Sequence, residues 1–385
     1  MTVVVAPPFQ AAIATGPDWG QTVKACLDRL GDVRGANLGF VYITDDLADH
    51  APGILMLLRS ITGIPHWVGT VGLGVCGGNE EIYMQPGMAV MAARLPPDSF
   101  RLVPSITDDV DPFRRRHADW LAAEGPPTGL IHGDPRNPET PALADAFAEA
   151  TEAFLVGGLA SSRHGFVQFT GSTTVGSAAQ GPVVEDGISG VLFSRRVPIA
   201  TGLTQGCQPI GPVRTITESQ DNVIHRIDGR PALEVFKEDI GELLARDLRR
   251  TAGYIFAALP IAGSDTADYL VRTIVGIDPA RGHLAIGEEV EPGQPILFTR
   301  RDRNAAVEDL NRMLAGLERR LVAPPKAAIY VSCVARGPNL FGDESEELKT
   351  IRRAIGDVPL VGFFANGEFS HNRLYGYTGV LTLFL

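Results

Sequence analysis

Cysteine is scarce: the four in 385 residues, Cys26, Cys76, Cys207 and Cys333, are far apart and share no C-x-x-C spacing. That argues against a local zinc site and a disulfide framework, and reads as reduced, mostly buried thiols. The eight histidines form no H-x-x-x-H or H-E-x-x-H pair, so local metal-ligand spacing is missing too. No C-x-x-C-H is present, which excludes covalent c-type haem attachment. Nothing approaches the roughly 18 uninterrupted apolar residues of a spanning helix. The first basic residue is Lys24, so residues 1–21 lack the basic start of a signal peptide, and a soluble, cytoplasmic protein is expected. Positive charge is in deficit: 34 basic against 45 acidic residues leave a net −11. Such a chain repels phosphate backbones and anionic headgroups, which points away from nucleic-acid and membrane partners. There is no Walker Lys-Ser/Thr and no G-x-S-x-G elbow.

What is present is a globular composition, 44% hydrophobic and 21% charged, with enough glycine and proline for many turns. An irregular repeat organises it. Leu38 to Ile43, Pro52 to Ile61, Trp67-Val68-Gly69 and Pro86 to Val90 form one copy. Gly129 to His132, Thr140 to Phe154, Leu155-Val156-Gly157-Gly158 and Val191 to Phe193 form a second. Ala328 to Val331, Glu344 to Ile355, Leu360-Val361-Gly362 and Val380-Leu381 form a third. Each reads strand, helix, strand ending in Val-Gly, polar loop, apolar strand, and the spacing allows a crossover helix between parallel strands. Thr140 is expected to cap the second copy's helix, with Pro141 in its first turn.

Between copies two and three, residues 213–227 predict a β-hairpin around Gln220-Asp221-Asn222. Asp228-Gly229 then turns into a long helix bearing Phe236, Ile240, Leu243, Leu244 and Leu248, with three short strands after it. Asn304 is expected to cap a helix with the stripe Val307, Leu310, Leu314, Leu317 and Leu321. Residues 96–116 read as a linker, with Arg114-Arg115-Arg116 on a solvated helix face. Gly72 to Gly77 satisfies G-x-G-x-x-G, but Gly78 to Gly87 read as a turn into a strand; pyrophosphate binding needs a helix to open there. His132 is expected in a loop at a strand end.

The loops after Val-Gly carry the most chemistry: Gly157, Gly158, Ser161 and Arg163 in copy two, Asn366, Gly367 and Glu368 in copy three. Glycines admit backbone N–H groups to a ligand, polar side chains orient it, and such loops sit at strand carboxyl ends. With Arg336 and Tyr375 they are expected to form one cleft, the arginines forking a carboxylate and Glu368 taking an amino group. An internal Arg–Glu tie between loops is the other reading of the same residues.

Val156-Gly157-Gly158-Leu159-Ala160-Ser161 with Gly190-Val191-Leu192 resembles the N-terminal domain of the FIST family. Ser332 to Gly337, Phe341-Gly342, Gly362 to Glu368 and Tyr375 to Leu381 resemble its C-terminal domain. The resemblance implies an α/β fold of two domains, 1–225 and 226–385, with mixed sheets flanked by helices and built partly from the three repeated units. It also implies a small-molecule-binding sensory protein of intracellular signal transduction, with an amino acid as ligand and a signalling protein such as a histidine kinase as partner. Unlike many members, this chain is expected to be FIST alone, without a fused output domain. Two alternatives stay open. One is a haem-based nitric-oxide sensor acting on a histidine kinase or a cyclic-di-nucleotide enzyme, with b-type haem on His225 or His164. The other is an enzyme with an unrecognised site; the main reading assigns no catalytic residue, metal or cofactor.

Overall fold

The computed structural model describes residues 7–170, 182–261 and 269–385. Part of the second copy's polar loop, 171–181, lies outside them, as do residues 1–6 of the N-terminus. The fold is mixed α/β, and the chain divides into two compact units. The first takes residues up to 204, then 311–374 and 378–385; the second takes 205–310 and 375–377.

In the first unit the chain begins with β1 (Phe9–Thr15), α1 (Trp19–Leu30), β2 (Leu38–Thr44), α2 (Ala51–Thr62), β3 (His66–Gly72), β4 (Gly74–Gly77), β5 (Glu80–Tyr83) and β6 (Gly87–Ala93). It continues with β7 (Phe100–Ile106), α3 (Asp111–Arg116), α4 (Ala118–Glu124), β8 (Thr128–Gly133), α5 (Thr140–Thr151), β9 (Phe154–Leu159), β10 (Gln168–Phe169), β11 (Val183–Val184), β12 (Ile188–Phe193) and β13 (Ile199–Gln205). The second unit holds β14 (Cys207–Gln220), β15 (Val223–Ile227), β16 (Arg230–Pro231), α6 (Ala232–Ile240), α7 (Glu242–Ala245), β17 (Ile255–Pro260), β18 (Tyr269–Asp278), β19 (His283–Ile286) and β20 (Pro295–Arg301). The unit boundary falls inside α8 (Arg303–Arg320). Last come β21 (Ala327–Cys333), α9 (Pro338–Phe341), α10 (Glu346–Ile355), β22 (Leu360–Ala365), β23 (Glu368–His371), β24 (Arg373–Tyr375) and β25 (Thr378–Phe384).

Three six-stranded sheets of the first unit share one order: β1-β6-β2-β3-β10-β11, β7-β12-β8-β9-β23-β24 and β13-β25-β21-β22-β4-β5. In each, a parallel pair (β2 with β3, β8 with β9, β21 with β22) has an antiparallel return strand on its far side. The polar loop after Val-Gly holds a hairpin, which leaves its own copy for the one before it, the first copy's going to the third: β4 pairs with β22, β10 with β3, β23 with β9. The Val-Gly glycines explain themselves by close approach. A Cβ at Gly69 would stand 1.7 Å from Val41 O, at Gly157 1.8 Å from Ile131 O, and at Gly362 1.7 Å from Tyr330 O. The paired strands admit no side chain there.

The parallel strands are largely apolar and buried, β2 and β21 along their whole length, as strands covered on both faces must be. Their inner faces meet in one core containing Phe40, Tyr42, Leu130, Val156, Ile329, Val361 and Phe363. Their outer faces take helices: Ile54, Leu55 and Leu58 of α2 over the first sheet, Leu143, Ala144 and Phe147 of α5 over the second. The second unit is all-antiparallel, in the order β14-β20-β17-β18-β19-β15, and β14 also pairs with β15. That closes a six-stranded barrel and removes its free edges. Leu233, Val235 and Phe236 of α6 pack with Ile216, Leu284 and Phe298 of its strands.

Several local expectations need correction. Residues 96–116 are no linker: they hold β7, which pairs with β12, and α3. Pro104 is tolerated because the register shifts between Ile188 and Gly190 where it sits. Arg114 and Arg115 of α3 are indeed exposed and pair with Asp111. The long helix after Asp228 is broken at Gly241, whose φ of 78° is outside helical space, into α6 and α7. Thr140 does not cap α5 but lies inside it, and its hydroxyl donates to Asp134 O at 2.8 Å. Asp302, not Asn304, serves α8, accepting from Ala305 N–H at 2.9 Å. The hairpin around Asp221 is formed as expected, and no helix opens at Gly72 to Gly77, which are β3 and β4. His132 lies within β8 rather than in a loop, and is wholly buried.

Candidate functional site

The carboxyl ends of the parallel strands carry the polar groups. Ser161 ties all three copies together there: its hydroxyl donates to Phe364 O near the end of β22 and accepts from Leu73 N–H after β3 at 2.8 Å. The loop after β9 also meets the loop before β23, Leu159 N–H donating to Gly367 O at 2.9 Å and Asn366 N–H to Leu159 O at 3.1 Å. Gly157 and Gly158 pair with Phe369 and Glu368. So residues 157–161 and 366–368 are brought into one place.

Each arginine of this region already has a carboxylate. Arg163 reaches from its loop to Asp45, just past β2, with Nε at 2.7 Å and Nη2 at 3.0 Å, and to Asp46 at 3.4 Å. Burial would raise the Asp45 carboxyl, but the bonds from Arg163 outweigh it and hold it below its ordinary value. The Arg163 side chain itself is 43% exposed. Arg336, past β21, is fully buried against Glu347 of α10, with Nε at 2.8 Å and Nη2 at 2.5 Å from Oε1. Glu347 Oε1 also accepts from Tyr330 Oη at 2.6 Å, and Oε2 from Ser332 Oγ at 3.2 Å and Gly337 N–H at 3.3 Å. A buried pair of this kind survives only when its remaining lone pairs are met, and here three further donors meet them.

Glu368 is different. It is fully buried; its Oε2 accepts from Thr378 N–H at 3.3 Å and Oγ1 at 2.7 Å, while Oε1 has no partner among the described residues. Burial pushes its carboxyl up to about 8, against the pull of Thr378 and Arg336. A neutral acid is therefore held within reach of a guanidinium that another carboxylate occupies. Asn366 is exposed, and Tyr375, 6% exposed, is counted with the second unit.

The histidines named for haem do not fit it. His164 is exposed in its loop, and the His225 ring lies flat on His283 at 4.2 Å, with Glu218 at 3.5 Å from Nδ1. A porphyrin needs an open face and an apolar slot around its axial ligand. His132, the fully buried histidine, is packed between the Tyr42 and Phe363 rings and pushed down to about 3 by burial.

The sequence reading missed Asp45, Tyr330, Ser332 and Glu347. Glu347 had a signal: it stands four residues before Ile351, on the apolar stripe of its helix. Asp45 had none, because its partner lies 118 residues away.

The chain matches the FIST N domain over residues 37–230 and the FIST C domain over 232–371. It is 28% identical over 362 residues to the uncharacterized protein MT0656 of Mycobacterium tuberculosis, covering 88% of both chains. It is 27% identical over 350 residues to the uncharacterized protein Mb0898c of Mycobacterium bovis, covering 88% of this chain and 87% of that one. Among the described residues, no helix is long and apolar enough to cross a membrane.

Proposed function

The chain belongs to the FIST family, whose domains are regarded as small-ligand sensory modules of signalling proteins, and from that premise we propose that it binds an amino acid and reports it to a signalling partner. The observation that carries this is the meeting of loops 157–163 and 366–368, knotted by Ser161, beside the unpartnered Glu368 Oε1. The half-exposed Arg163 offers the carboxylate pole, because Asp46 at 3.4 Å is a weak occupant that a ligand carboxylate displaces. Glu368 offers the ammonium pole, giving up its proton to do so. Gly157, Gly158 and Gly367 shape the backbone around the ligand, Asn366 supplies an amide at the rim, and Arg336 sets the field at Glu368. A charge of −11 suits a protein partner such as a histidine kinase in the cytoplasm rather than nucleic acid or a lipid surface.

A thermal-shift panel of the twenty amino acids tests the reading. A binder at a hundred times its dissociation constant adds about 2.7 kcal/mol of stability, a rise of several degrees. Arg163→Ala is expected to weaken that binder about tenfold or more while leaving the fold intact. A flat panel, or full binding by the variant, speaks against it.

A further inference from the structure

The helix layers of the three sheets differ in a way that their shared strand order does not require. By register against the Val-Gly glycine, Val41, Ile131 and Tyr330 occupy one position, and Ile43, Gly133 and Ser332 the next on that face. On the helices, Ile54/Leu55/Leu58, Leu143/Ala144/Phe147 and Glu347/Leu348/Ile351 are buried at the same spacing. At these positions two layers are apolar; the third has Tyr330, Ser332 and Glu347, with Arg336 buried beside them. Apolar packing is the cheaper way to hold a helix on a sheet, so stability alone does not account for the third layer.

This layer is also left incomplete. Tyr83 of β5 has its hydroxyl shut off from solvent without a partner among the described residues, and a Cβ at Gly337 would lie 3.3 Å from it. The Gly337 N–H donates to Glu347 Oε2 at a long 3.3 Å, so the Tyr83 hydroxyl and the less occupied oxygen of Glu347 both border one glycine. Gly337 itself has φ 51°, and a Cβ there would strike the Phe364 ring at 2.6 Å. Glu81, two residues before Tyr83 and on the same strand face, has its backbone N–H bound to Ser345 Oγ at 3.1 Å. Among the described residues no side-chain hydrogen bond or ion pair meets its carboxyl, which burial, and then the charge of Glu347, push up to about 8. The buried cation, Arg336, is held by Glu347, and Lys349 is drawn to Glu344 and Glu346.

We propose that this layer is a second binding site, for a small organic ammonium group held by Glu81, the Tyr83 hydroxyl and Glu347 Oε2. An ammonium donates three hydrogen bonds, and these are three acceptors. Among the described residues no group of three or more His, Cys, Asp or Glu is placed to hold a metal ion. The site stands apart from the amino-acid reading, which uses Arg163 and Glu368, and either stands if the other falls.

The test is thermal unfolding of the full chain with propylammonium chloride, against sodium chloride and sodium propionate at matched ionic strength. Wild type is expected to show a saturable rise with propylammonium alone. Glu81→Gln and Tyr83→Phe should each weaken it about tenfold, or about 1.4 kcal/mol, and Glu346→Gln on the exposed side of α10 should not. Either of the first two variants, folded by circular dichroism, suffices for the comparison. No saturable rise in wild type, or equal binding by the folded variants, overturns the proposal.

Discussion

Glu368 is the residue whose environment has the clearest solution consequence. Its neighbours are polar but offer it no cation of its own: Thr378 donates twice to one oxygen, and the Arg336 guanidinium is held by Glu347. Its carboxyl is raised from 4.5 to about 8 by burial, so between those values the folded state holds a proton that the unfolded state has released. The stability tied to this proton is therefore fully present below pH 4.5 and is lost as pH rises toward 8, by up to about 1.4 kcal/mol per pH unit. Glu81 adds to the loss with the same sign. Glu368→Gln keeps the shape and removes the titration; urea unfolding from about pH 5 to about pH 8 is expected to show a shallower fall than wild type. An unchanged slope means that Glu368 is already ionised in the native protein. If Glu368 receives the ligand's ammonium, binding releases that proton, and affinity rises over the same interval.

At the scale of elements, glycines decide the strand pairings. Gly157 has φ 131° and partner backbone 1.8 Å from where a Cβ would be, so Gly157→Ala must part β8 from β9. A cost of about 4 kcal/mol or more is expected, at the top of the range for single substitutions. Gly63, which ends α2 at φ 69° with nothing within 4 Å, is the control. Gly63→Ala meets only left-handed backbone strain, about 1–2 kcal/mol. Chemical denaturation of the two variants separates close approach from conformation alone, and equal losses contradict the packing argument. These glycines were legible because Val-Gly recurs after each apolar strand, and the helices because their stripes have helical spacing. The exchange of hairpins was not legible, since β10 and β11 are two residues each and pairing with another copy leaves no local mark. β7 was hidden by its proline and the acidic run after it, and the break at Gly241 by an apolar stripe that runs on past it.

At the scale of the whole molecule, the three sheets of the first unit each take a hairpin from a neighbouring copy, so none is complete without the others. The strand ends thereby collect loops from distant sequence, which is how Ser161 comes to bind Leu73 and Phe364, 88 and 203 residues away. For the candidate site, the sequence named the glycines, Ser161, Arg163, Arg336 and Glu368 as candidates, because loop chemistry is local. It did not find their carboxylate partners Asp45 and Glu347, because those are set by the fold. The account turns on whether the gathered loops hold the ligand. Hydrogen–deuterium exchange of the intact chain, with and without a saturating amino acid from the thermal panel, tests that most directly. Slower exchange at 157–163 and 366–368 is the result predicted; a bound amino acid that leaves both loops unchanged and protects residues elsewhere contradicts it.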